Sequence, residues 1–163
     1  MFSNKKIFFF VLCITALSGC SFSPLYETNS LSQVLFVEPN KSNKDLHKIY
    51  MNLERLFFIN KESEKKYIVT MSLEKRYDDI DIREDEKVTR MGVSNRVIFY
   101  LKDKETEEVI FKGESIASTA FNRISEPYSN EIAKRDAEDR LAYSIAQDIR
   151  NQIVLFSKEN INK

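Results

Sequence analysis

Apolar and polar positions alternate with period two in three segments of the middle of the chain. Tyr67, Val69, Met71 and Leu73 alternate with Thr70, Ser72 and Glu74. Met91, Val93, Val97, Phe99 and Leu101 share a parity that only Asn95 interrupts. Val109, Phe111, Gly113, Ser115, Ala117, Thr119 and Phe121 share another. Such alternation predicts antiparallel strands with one buried face. A shorter apolar run, Gln33 to Val37, stops at Glu38-Pro39-Asn40 and predicts a further strand. The spacing changes between these segments. Leu46, Ile49, Tyr50, Leu53, Leu56 and Phe57 recur at helical intervals after Asn43, a suitable N-cap with Asp45 in the first turn, so a helix is predicted over about 43–58. Ala137, Leu141, Ile145, Ile149, Ile153 and Phe156 lie on one side of a second helix over about 130–156, capped by Ser129 or Asn130. Its flanks carry Glu131–Arg135, Lys134–Glu138 and Asp136–Arg140 at i, i+4.

The predicted order is β-α-β-β-β-α. Two amphipathic helices need an apolar surface, and a sheet with one apolar face supplies it. The expected fold class is α+β: a two-layer sandwich, with both helices on one face of a four-stranded, mostly antiparallel sheet. The last two strands are joined by Asp103-Lys104-Glu105-Thr106, a polar turn without glycine that suits a loop of about four residues. Gly92 and Gly113 both fall inside strands, where each marks a bulge, a close backbone approach or a small residue beneath a large neighbour.

The first twenty residues follow another pattern. Lys5 and Lys6 precede an apolar stretch from Ile7 to Ala16, which is signal-peptide length and too short for a membrane span. Leu17-Ser18-Gly19-Cys20 follows, and this order resembles a bacterial lipobox. Cys20 is thereby the expected acceptor of a diacylglyceryl group and the first residue of the mature chain. An ordinary signal peptide and an uncleaved anchor are the alternatives. The expected organisation is a signal peptide over 1–19, a lipidated tether over 20–31, one sandwich domain over 32–157 and a frayed tail over 158–163. Two or more acyl chains would hold the protein on a membrane without spanning it. Ser21 stands where enteric-type sorting would place Asp for inner-membrane retention, which favours the outer membrane, periplasmic side.

Composition then narrows the function. The 163 residues hold 25 basic and 25 acidic side chains, one His, two Cys and three Gly. Zero net charge argues against a nucleic-acid binder. The glycines cannot supply a dinucleotide fingerprint or a P-loop, and neither G-x-S-x-G nor H-E-x-x-H occurs. Removal of residues 1–19 leaves 23 basic against 25 acidic residues, with Cys20 as the sole cysteine. His47 lies off the main stripe of its helix and has no evident partner as a general base. Residues 78–87 hold six acids, a candidate for a divalent cation, yet lack the Gly and terminal Glu of an EF-hand loop and read as a solvated hairpin loop. No catalytic residue, metal site or cofactor is assigned, apart from the covalent lipid on Cys20. Lys75, Arg76, Arg90 and Arg96 fall on the middle strands, where they could offer a cationic surface to a phosphorylated ligand.

Both ends of the mature chain resemble one family. Cys20-Ser21-Phe22-Ser23-Pro24-Leu25-Tyr26 is similar to the C-G-F-R-P-L-Y opening of lipopolysaccharide-assembly lipoproteins of the LptE family in its alphaproteobacterial form. The stretch SIASTAFNR, and Arg135-Asp136-Ala137 with Arg140-Leu141-Ala142 in the last helix, resemble the same family. Ser21, Ser23 and Glu27 depart from its usual Gly, Arg and Gly. The resemblance implies an outer-membrane lipoprotein seated as a plug inside an LptD β-barrel, with lipopolysaccharide as the transported ligand and its phosphates as the anion for the four cations. A lipid-anchored binding or structural lipoprotein of another envelope machine is the alternative.

Overall fold

The computed structural model describes residues 33–39, 43–57, 64–82 and 88–160. The signal peptide, Cys20, the tether and most of the acidic run beyond Ile82 lie outside the described residues. The elements are β1 (Val34–Phe36), α1 (Lys44–Phe57), β2 (Tyr67–Ile82), β3 (Val88–Asp103), β4 (Val109–Asn122) and α2 (Pro127–Asn160). The order is β-α-β-β-β-α, as the hydrophobic pattern predicts. The sheet is open and mixed, with strands in the order β1-β2-β3-β4. β1 runs parallel to β2, and the other neighbours are antiparallel.

The buried parity is the predicted one. Val69, Val93, Val97, Phe99 and Leu101 are buried on the helix-covered face. Above them α1 contributes Ile49 and Leu53, while α2 contributes Ala142, Ile145, Ala146, Ile149 and Ile153. A smaller cluster of Val93, Phe121, Ala137 and Leu141 continues the core under the first half of α2. Among the described residues, no second layer covers the opposite face of the sheet.

Asn43 caps α1 as expected, its Oδ1 accepting the Leu46 N–H at 3.0 Å. α2 begins earlier than the pattern indicated. Pro127 takes the first helical position, where its missing N–H costs nothing and its fixed φ suits the helix. Asn130 is therefore no cap. Its amide ties back to the preceding loop, accepting from the Ile124 N–H at 2.8 Å and donating to the Ile124 carbonyl at 2.7 Å. The helix also runs on to Asn160.

Strands β2 and β3 are longer than their alternating cores. Asp78 to Ile82 continues β2 instead of opening a loop, with irregularities of register between Asp79 and Ile82. The β3–β4 connection closes on Asp103, whose carboxylate accepts from the Glu105 and Thr106 N–H groups at 2.9 and 3.1 Å. Those two bonds hold its carboxyl below the ordinary aspartate range. Glu107 supplies the left-handed residue of this turn, at φ 57°.

Gly113 lies beneath a large neighbour. A Cβ there would sit 2.2 Å from Phe99 Cζ, so only hydrogen lets the ring lie across the strand. Gly92 is covered by Ile80 in the same manner, at 2.9 Å from its Cδ1.

Candidate functional site

Period two on β2 continues past Leu73, so Lys75 and Tyr77 point to the helix side while Arg76 points to the open face. Lys75 therefore ends between the two helices. Its Nζ lies 2.8 Å from Asp45 Oδ2 on α1 and 2.6 Å from Glu138 Oε1 on α2. The Tyr77 hydroxyl donates to the same Glu138 oxygen at 2.9 Å. Lys48 of α1 reaches Asp139 at 2.8 Å and Glu138 at 3.6 Å. Lys75 and Lys134 stand over the Tyr77 ring at 5.1 and 5.5 Å from its centroid. Glu138 thus turns to Lys75 and Lys48, and Lys134 lies against the Tyr77 ring.

This network crosses three elements at the edge of the core. Burial disfavours the Lys75 ammonium, but its hydrogen bonds to Asp45, Glu138 and Tyr77 outweigh that and hold its pKa above the ordinary lysine value. Burial likewise raises the Glu138 carboxyl, and the hydrogen bonds from Lys75 and Tyr77 with the nearby lysine charges bring it below the usual glutamate value. A cavity of about 640 Å³ opens here, lined by Lys44, Lys48, Lys75, Tyr77, Lys134 and Glu138 among others. Both signs of charge line it, so it carries no strong field toward an anion.

The four cations picked out in the sequence do not form one surface. Lys75 is committed on the helix side. Arg76, Arg90 and Arg96 share the parity of the open face. Arg96 makes a two-pronged pair with Glu114 of β4, at 2.7 and 3.1 Å. Arg76 holds Asp78 at 2.8 Å. Arg90 is exposed near the start of β3, opposite Asn122 of β4. Around them lie Ser72, Glu74, Ser94, Lys112 and Ser118, with Tyr100 under the Lys112 ammonium at 5.6 Å. The face is hydrophilic overall, with Ile116 as its most exposed apolar side chain at 65%.

Among the described residues, His47 Nδ1 has no hydrogen-bond partner. Its Nδ1 lies 3.9 Å from Glu38 Oε1, beyond hydrogen-bond reach, and its ring stacks near Tyr50. Among the described residues, no group of three His, Cys, Asp or Glu side chains is gathered to hold a metal ion. No helix among them is long and apolar enough to cross a membrane.

No family model matches the chain. Uncharacterized protein RP188 of Rickettsia prowazekii (strain Madrid E) is 24% identical over 154 residues, which span 92% of this chain and 96% of that protein. Among solved structures, a Caulobacter crescentus CB15 protein provisionally named a lipoprotein superposes with a TM-score of 0.66 at 19% identity, over 79% of this chain and 93% of that one. Rare lipoprotein B of Shewanella oneidensis superposes with a TM-score of 0.58 at 10% identity, over 80% of this chain and 99% of that one. At these identities the chains share an architecture, the two-helix, four-strand open sandwich.

Proposed function

We propose that this protein is an outer-membrane lipoprotein, anchored through Cys20, that serves as plug and assembly partner of an LptD-type β-barrel in lipopolysaccharide transport. The observation that carries the reading is one architecture shared with rare lipoprotein B over nearly all of that chain, behind a lipobox in this one. The opening Cys20 to Tyr26 and the last helix, which resemble the LptE family, support it further.

The mechanism on this reading is binding and positioning, with no bond broken. Barrel interiors are polar. A hydrophilic open sheet, on which Arg76 and Arg96 already hold carboxylate partners, can lie against such a wall with little bare charge to bury. Arg76, Arg90 and Arg96 are the side chains we assign to lipopolysaccharide phosphate. Lys75 leaves that set, because moving it would strand Asp45 and Glu138. The test is depletion of the lipoprotein in its host. The heat-modifiable, folded fraction of the barrel should fall several-fold while its synthesis is unchanged. An undiminished folded barrel after depletion would overturn the assembly role.

A further inference from the structure

The sheet has two open edges, and they are treated differently. β1 covers only Tyr67 to Val69 of β2, so the edge from Thr70 onward has no strand beside it among the described residues. That edge is guarded. It carries Lys75, Arg76, Asp78, Asp79 and Asp81, and its register is broken between Asp79 and Asp81. Charges and bulges of this kind discourage another strand from pairing. The β4 edge lacks such guards over its second half. From Ser115 to Phe121 it holds no charge and no proline, and its pairing with β3 is regular from Asn122 to Phe111. Ile116 stands near the start of this stretch, 65% exposed on the open face.

The strand is also size-symmetric about Ile116. In an antiparallel pair of two copies centred there, Phe111 faces Phe121, Gly113 faces Thr119 and Ser115 faces Ala117 on the helix side. On the open side Lys112 faces Ala120, Glu114 faces Ser118 and Ile116 faces its own mate. Each ring meets a ring, small residues meet small ones, and no like charges stand opposite. Glu114 keeps its Arg96, because that pair lies within one copy. We propose that two copies of this chain associate by antiparallel pairing of their β4 edges about a two-fold axis at Ile116, forming a continuous eight-stranded sheet. This pairing satisfies the backbone groups of an edge that no strand covers among the described residues, and the Glu114 carbonyl, which already accepts from the Gln152 amide, keeps a second lone pair for the other copy. It does not rest on the barrel reading, and it is a state of the chain outside any barrel.

The test uses single-cysteine variants of the full-length, membrane-anchored chain. Cys13 lies in the signal segment and Cys20 is the expected lipid site, so the introduced thiol is the reporter. Residues directly opposite in an antiparallel pair have Cα atoms about 4.5–5.5 Å apart, within disulfide reach. Ile116→Cys should therefore give a reducible dimer under mild oxidation. Glu114→Cys places the two thiols four residues out of register, roughly 13 Å apart along the strand, beyond reach. At least tenfold more dimer from Ile116→Cys than from Glu114→Cys is the expected result. Equal or negligible cross-linking of the two would overturn the proposal. Sedimentation of the purified lipidated protein in detergent gives an independent reading. The wild type should contain a dimer that Ile116→Lys reduces to monomer, and a wild type that stays monomeric at every concentration would also overturn it.

Discussion

Replacing Gly113 by alanine should destabilise the domain, against the usual direction of such a change in a strand. Gly→Ala at a compatible position typically stabilises by about 0.4–1 kcal/mol, because the unfolded chain loses freedom. Gly113 is not compatible. The added Cβ would lie 2.2 Å from Phe99 Cζ, 2.4 Å from Phe99 Cε1 and 2.7 Å from Gln152 Oε1. Ordinary contact begins near 3.4 Å, so the ring must move by more than an ångström. It has little room. Phe99 is fully buried, its ring meets Phe111 edge-on at 5.8 Å, and Phe111 stacks on Phe156 of α2 at 4.8 Å. Gln152 is held as well, since its amide donates to the Glu114 carbonyl at 2.8 Å. Overpacking of this sort costs about 1–3 kcal/mol, so after the entropy gain the net loss should be about 1–2 kcal/mol. With a urea m-value of about 2 kcal/mol/M, the unfolding midpoint should fall by roughly 0.5–1 M. A double-mutant cycle isolates the cause. Phe99→Leu removes the clashing ring edge, so alanine at 113 should be tolerated far better in that background, with a favourable coupling of about 1 kcal/mol or more. A Gly113→Ala midpoint equal to or above wild type, or additive behaviour in the cycle, would refute the packing argument.

The Lys75 network supplies two further tests. Lys75→Met should cost about 1–3 kcal/mol in urea unfolding, since Asp45 and Glu138 would lose their shared cation in a half-buried place; an unchanged midpoint would show the pairs to be idle. Glu138 has a folded pKa below its unfolded 4.5, so its contribution is complete above that value and lost as the pH falls through the folded pKa. The acid side of the stability curve should therefore be shallower in Glu138→Gln than in wild type, and identical curves would contradict the assignment. Ile149→Ala should cost about 2–5 kcal/mol, because the side chain is fully buried between sheet and helices; a loss under 1 kcal/mol would place it outside the core. Cys20→Ala should abolish incorporation of labelled fatty acid and leave uncleaved precursor, whereas label surviving in that variant would rule out Cys20 as the acceptor.

Much of the fold was legible because each buried face has a simple period. The alternation through Val93, Val97, Phe99 and Leu101 marked β3, and the α1 stripe ended within a residue of the observed helix. The ends of β2 and β3 were less legible for a physical reason. Beyond Lys75, Asp78 and Asp79 stay paired with Gly92 and Met91 through backbone register without any apolar alternation. Charge there reads as loop although the backbone is paired. The start of α2 was obscured by Asn130, a good cap by chemistry, while Pro127 carried the true signal. The network at Glu138 needed two elements at once. Strand parity alone puts Lys75 on the helix side, but its two acids lie 30 and 63 residues away, and only the packing of α1 beside α2 brings them to it. The same parity separates Lys75 from Arg76 and Arg96, so four cations close in sequence divide between two faces.

The proposed function makes this small sandwich the partner of an outer-membrane barrel. Affinity capture of the tagged, lipidated protein, expressed at its native level and solubilised in mild detergent, tests it directly. An LptD-type barrel should be recovered in near-equal amount, stable to washing at high salt because shape and hydrogen bonding, more than exposed charge, hold the complex. Capture of the lipoprotein without any such barrel would contradict it.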